Sequence, residues 1–218
     1  QIVVVGQGDA SITIADAVSG RVQATIDAGL RPDEVVASRD GKRAFVMVYG
    51  GRQPGNEIAT VTLGPKPALA AVTKLQGLVR PHGCQMVDDK IWITAETNAC
   101  IARFDPTTQT VDRIYGHGGA AGHMLAVAPD ARRIVVANML SQDCSIIELG
   151  RGPRNVSRVD LPAPQPEGLA YSPDGREVWF GHRKGGILSI LDMESRKVVG
   201  TMEVGGVPFR LAFAKSGR

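Results

Sequence analysis

Chemistry in this chain has to come from its histidines and carboxylates. Five prolines or glycines, Pro32, Pro81, Gly122, Pro166 and Pro208, recur at spacings of 49, 41, 44 and 42 residues, and the residue after each is Asp33, His82, His123, Glu167 and Phe209. Four of these five are ionisable. Glu34 and Arg210 follow directly, and Glu96 opens a loop expected on the same side. Neutral imidazole nitrogens with anionic carboxylate oxygens replace the hydration shell of a divalent metal, and the same groups supply a general base beside a polarised oxygen. The expected ligand-binding set is therefore Asp33, Glu34, His82, Glu96, His123, Glu167 and Arg210, with His82, His123 and Glu167 as metal ligands. The bland alternative is that these groups bond to neighbouring backbone or hold channel water. His117 and His182 are expected to be surface histidines, and Glu96 a solvated loop acid.

The elements that must position these groups are short strands. Residues 166–205 hold four β-type runs, 168–172, 177–181, 187–191 and 197–204, separated by the turn signals Ser172–Gly175 and Asp192–Ser195. One such unit is a four-stranded antiparallel sheet. Its recurrence along the chain predicts five sheets, and inner-strand faces that are bulky on one side (Leu125, Val127, Leu169, Tyr171) and small on the other (Ala126, Gly168, Ala170) suit radial stacking. The expectation is one domain over 1–218, a five-bladed β-propeller. The first unit lacks an inner strand, and the run 209–214 is expected to supply it and close the ring. A fragment of a seven-bladed propeller is the alternative.

Composition narrows the function classes. A net charge of +3 with 5% aromatics lacks the basic stripe and stacking platforms of a nucleic-acid binder, and Arg151, Arg154 and Arg158 are placed on or beside a solvent-facing outer strand. No apolar run is long enough to span a bilayer, so a soluble chain is expected. Cys84, Cys100 and Cys144 cannot all pair with one another and lack CxxC spacing, which reads as buried small hydrophobes. Gln1 begins directly on a strand, as after removal of a leader, pointing to a periplasmic or secreted protein. No serine-nucleophile elbow or phosphate-binding glycine loop is present.

The segments PEGLAYSPDGREVWFGH from Pro166, PDEVVASRDGKRAFVMVYG from Pro32 and GHMLAVAPDARRIVVAN ending at Asn138 resemble the YVTN-type β-propeller repeat. Two third-strand runs, ending at Asp16 and Asp192, fit the same unit. The resemblance implies the fold, and less about activity, since one scaffold serves many tasks. Three functions stay open. One is a propeller binding a small molecule, a metal or a protein on the face formed by the d-to-a and b-to-c loops. Another is a metal-dependent, lactonase-like hydrolase or lyase, and the last a subunit docking to a redox partner.

Overall fold

A computed structural model describes residues 1–29, 31–150 and 155–214. Nineteen strands fill them: β1 Ile2–Gly6, β2 Ser11–Ala15, β3 Val22–Asp27, β4 Pro32–Ala37, β5 Arg43–Gly50, β6 Pro54–Thr62, β7 Ala68–Lys74, β8 Pro81–Val87, β9 Lys90–Ala95, β10 Cys100–Asp105, β11 Thr110–Gly116, β12 Gly122–Val127, β13 Arg133–Asn138, β14 Asp143–Glu148, β15 Val156–Asp160, β16 Pro166–Tyr171, β17 Glu177–His182, β18 Ile187–Asp192 and β19 Lys197–Glu203. They form five antiparallel sheets, β1-β2-β3, β4-β5-β6-β7, β8-β9-β10-β11, β12-β13-β14-β15 and β16-β17-β18-β19. The fold class is all-β, that of a five-bladed propeller. No helix among the described residues is long and apolar enough to cross a membrane.

The C-terminal expectation needs correcting. Pro208–Ala214 adopts no strand, and the first sheet keeps three strands. The segment instead lies against the fifth sheet, where Gly168 and Gly181 leave room for it. A Cβ on Gly168 would sit 2.8 Å from the Phe209 carbonyl carbon, and one on Gly181 would sit 2.9 Å from Leu211 Cδ1. Phe213 meets Trp179 edge to face, with ring centroids 5.9 Å apart. Arg151, Arg154 and the turn 215–218 lie outside the described residues.

The turns form as their residues dictate. In Ser172–Gly175 the Ser172 hydroxyl donates to Asp174 (2.6 Å), Gly175 N–H donates to the Ser172 carbonyl (2.9 Å), and Gly175 takes φ +71°. Ser38–Gly41 repeats each contact. In the fourth sheet Ala131 adopts φ +55° in the same role without glycine. At the outer turns, Asp16, Asp105 and Asp192 accept backbone N–H bonds from residues two or three further on.

The chain divides into two compact units, Gln1–Asn98 with Ala102–Ile114, and Ala99–Ile101 with Tyr115–Arg218. In the first, the inward faces of two sheets bury Ile12, Ile14, Val46, Val48, Ala59 and Val61. In the second, Val135, Ile146, Leu169, Val178, Phe180 and Leu191 form the core. Each valine, leucine, isoleucine or phenylalanine among them contributes about 1.5–3 kcal/mol when withdrawn from water. Cys100 and Cys144 are buried as expected, Cys84 is half-buried, and none of the three is in a disulfide.

Candidate functional site

A backbone device recurs at the head of four inner strands. The residue before each anchor, Arg31, Arg80, Ala121 and Gln165, is left-handed at φ +52°, +56°, +54° and +54°. Each of these carbonyls accepts the N–H of a residue at the end of the second strand or just after it: Tyr49 within β5 (3.2 Å), and Glu96 (3.1 Å), Met139 (3.0 Å) and Arg183 (3.0 Å) after β9, β13 and β17. Immediately after the anchor, the inner strand carries one residue more than its partner. Pro32 pairs with Val48 but Val35 with Val46, Pro81 with Ala95 but Cys84 with Ile93, Gly122 with Asn138 but Met124 with Ala137, and Pro166 with His182 but Leu169 with Phe180. Such a bulge takes its residues out of strict up-down alternation and re-aims their side chains. Asp33, Glu34, His82, His123 and Glu167 all occupy these bulges.

In the first unit the bulges of β4 and β8 bring Asp33, Glu34 and His82 together, one ligand atom from each lying within 4.8 Å of the others. His82 Nε2 is 3.4 Å from Asp33 Oδ2, with the imidazole only 3% exposed and the carboxylate 21%. Consecutive residues of a regular strand point to opposite faces. Asp33 and Glu34 both reach His82 because the bulge intervenes.

A surrounding layer holds the group. Gln7 donates to Asp33 Oδ2 (2.6 Å) and accepts from Arg31 (3.0 Å). The Tyr49 ring stands edge-on to His82 at 5.4 Å and 82°, while its hydroxyl donates to Glu96 Oε1 at 2.8 Å. Arg80 stacks on the Tyr49 ring at 4.8 Å. Burial, reinforced by Glu96, pushes the Tyr49 hydroxyl up to about 12, so it remains a donor at neutral pH. Glu96 is thus a bonded acid at the start of the 3-10 turn Glu96–Asn98, not the solvated loop acid expected.

In the second unit, Glu167 is 5% exposed in its side chain and is flanked by two arginines and a histidine. Arg183 Nε lies 3.0 Å from Oε2, Arg210 Nη1 3.5 Å from Oε1 and His123 Nε2 3.7 Å from Oε1. Two guanidiniums at that range repel a metal cation from Glu167, and the three-residue group with metal-binding geometry among the described residues is Asp33, Glu34 and His82. Arg183 was not expected here. Its only signal in the sequence is its place at the start of a b-to-c loop.

His117 and His182 are buried, not surface residues. His182 Nδ1 donates to the Ala163 carbonyl and Nε2 is hydrogen-bonded to the Ser189 hydroxyl, both at 2.7 Å. Gly119 N–H donates to His117 Nδ1 (3.2 Å), and Gly122 gives the ring space, since a Cβ there would lie 2.5 Å from His117 Cε1. Burial lowers both histidines, His117 to about 4. Nearby, Asp143, buried and bonded to Asn138, pairs with Arg158, so that arginine neutralises a core carboxylate instead of simply facing solvent.

No family model matches the chain, and no functionally described protein matches it in sequence. Among solved structures it is similar to hydrazine synthase of Kuenenia stuttgartiensis, with TM-score 0.62 and 15% identity over 97% of this chain and 85% of that one. It is likewise similar to virginiamycin B lyase of Staphylococcus aureus, with TM-score 0.75 and 13% identity over 95% of this chain and 72% of that one. Both are propellers, and at such identities the likeness establishes a common fold: this chain has the propeller fold.

Proposed function

We propose that the chain is a binding propeller of the YVTN-repeat type whose Asp33–Glu34–His82 cluster takes a divalent cation. The observation that carries this reading is one imidazole nitrogen and two carboxylate oxygens, from two adjacent inner strands, within 4.8 Å of one another. One nitrogen and two oxygens suit zinc or manganese, and three protein ligands leave coordination positions open for water or a small molecule. Gln7 bonded to Asp33, and Tyr49 packed on His82, supply the outer support that metal ligands need. An open position on a cation that lowers the pKa of bound water also favours the second reading, a metal-dependent hydrolase or lyase, and one of the similar folds is named a lyase. We place the protein in the periplasm or outside the cell, with a small molecule or a protein as its partner at this cluster.

Metal analysis of the purified protein, then zinc and manganese titration, tests the proposal. About one equivalent of cation, lost in both His82→Ala and Asp33→Asn while the fold persists, is expected. Absence of saturable binding of either metal in the unaltered chain would overturn it.

A further inference from the structure

The link 117–121 joins β11 to β12 and lies over a polar group of the fourth sheet. Beneath it Asn138, Asp143 and Ser145 are fully or almost fully buried. Asn138 donates to Asp143 (2.6 Å) and to Ser145 (2.8 Å), and the Ser145 hydroxyl donates to the His117 carbonyl (2.6 Å). Gly119 sits directly on Asn138, since a Cβ there would lie 2.1 Å from Asn138 Cγ. Gly118 and Ala120 face solvent, so the link is a cover one layer of chain thick. Its far side is tied to the loop after β13: Ala120 N–H donates to Ser141 Oγ (3.0 Å), and Leu140 and Met139 N–H donate to the Ala120 (3.1 Å) and Ala121 (3.0 Å) carbonyls.

His117 latches this cover from inside. Its ring is fully buried and Nδ1 accepts the Gly119 N–H (3.2 Å), so the neutral ring carries its proton on Nε2. A proton added at Nδ1 would face the Gly119 hydrogen and turn that bond into a repulsion. Little around the ring offsets the new charge. Nε2 has no partner among the described residues, and a Cβ on Gly122 of β12 would lie 2.3 Å from it. The charged groups acting on the ring, Asp143 of β14 and Arg158 of β15, already pair with each other. Asn138 of β13 and Ala99, whose carbonyl accepts the His117 N–H, carry no charge. Burial accordingly lowers His117 to about 4, and water is the better place for an imidazolium. Gly118, left-handed at φ +74°, gives the link a pivot. We infer that the link 117–121 is an acid-released cover: protonation of His117 lifts it off Asn138, Asp143 and Ser145 while the strands beneath stay paired.

The test is nuclear magnetic resonance of the whole chain between pH 7 and pH 4. At pH 7 the His117 ring should be the tautomer protonated at Nε2. On acidification, the protection of the Gly119 and Ala120 amides, corrected for intrinsic exchange, should fall at least tenfold with the midpoint of His117 protonation, while amides of β13 and β14 keep theirs. The closed link binds the proton weakly and the open one normally, so whatever disfavours closure raises that midpoint. Gly118→Ala does so through backbone strain alone, since its Cβ would meet only Arg158 Cδ at 3.9 Å, and a rise of about half a pH unit or more is expected. In His117→Gln the protection of the link should no longer depend on pH. The opposite tautomer at pH 7, protection that survives His117 protonation, loss that coincides with unfolding of β13 and β14, or a midpoint unmoved by Gly118→Ala overturns the inference. The first, second and third of these are read in the unaltered chain, so they hold even where a variant fails to fold.

Discussion

The clusters of the two units occupy the same place in the repeat and differ in chemistry. In the first unit a bulge offers Asp33 and Glu34 to His82, an acidic group suited to a cation. In the second, the corresponding bulge offers Glu167, which lies against the guanidiniums of Arg183 and Arg210. Arg183 and Glu96 are bonded alike, each through its N–H to the left-handed residue before the anchor. One unit thus has an acid where the other has a base, on the same scaffold. Position comes from the fold and ligand type from the side chain.

Five substitutions and a pH series break or sharpen that contrast. The largest effect is expected from His82→Ala, which should lower cation affinity more than about 100-fold, beyond the loss typical of supporting residues. Glu167→Gln should leave that cation affinity unchanged and act on stability instead. Removing the acid leaves two guanidiniums facing each other over a buried amide, and a loss of about 3 kcal/mol in urea unfolding is expected.

Acid should act through the second unit, to which both neutral buried histidines belong. His117 has a folded pKa of about 4 against an ordinary 6.5, so between those values the unfolded chain binds the extra proton. Stability is complete above pH 6.5 and falls as the pH drops toward 4, by about 3 kcal/mol. His182, also lowered, adds in the same direction. Melting temperatures across this range check the effect, and His117→Asn should flatten the curve. In the first unit, Tyr49→Phe removes the bond to Glu96 and should cost about 1 kcal/mol in the same unfolding assay. The smallest change is a gain: Gln165→Gly relieves a left-handed non-glycine residue and should stabilise the fold by up to about 1 kcal/mol, seen as a raised melting temperature.

Much of the fold was legible because its turns are written in serine, aspartate, proline and glycine. Ser38–Gly41, Ser172–Gly175 and Asp192–Ser195 turn where their side chains bond backbone, and the strands between them follow. The anchor count also found Asp33, His82, His123 and Glu167. It could not sort them, because a bulge has no sequence mark when the residues before it are Arg31, Arg80, Ala121 and Gln165 instead of glycine. Gln7, Tyr49 and Arg80 escaped notice since their roles depend on pairings across sheets, and Arg183 because its partners Glu167 and Phe209 lie on other segments of the chain. Phe209–Ala214 has the alternation of a strand, yet packing on Gly168 and Gly181 gave its backbone a different resting place. His117 and His182 look like loop polar residues until the glycines and carbonyls enclosing them are known.

The extra residue at the head of each inner strand has a consequence for how such a protein changes over time. Because it lies outside the regular ladder of backbone pairing, its side chain can be exchanged without disturbing the strands on either side. A duplicated module therefore hands its descendants a row of interchangeable sockets, and new binding preferences can arise by single replacements there while the architecture is inherited intact.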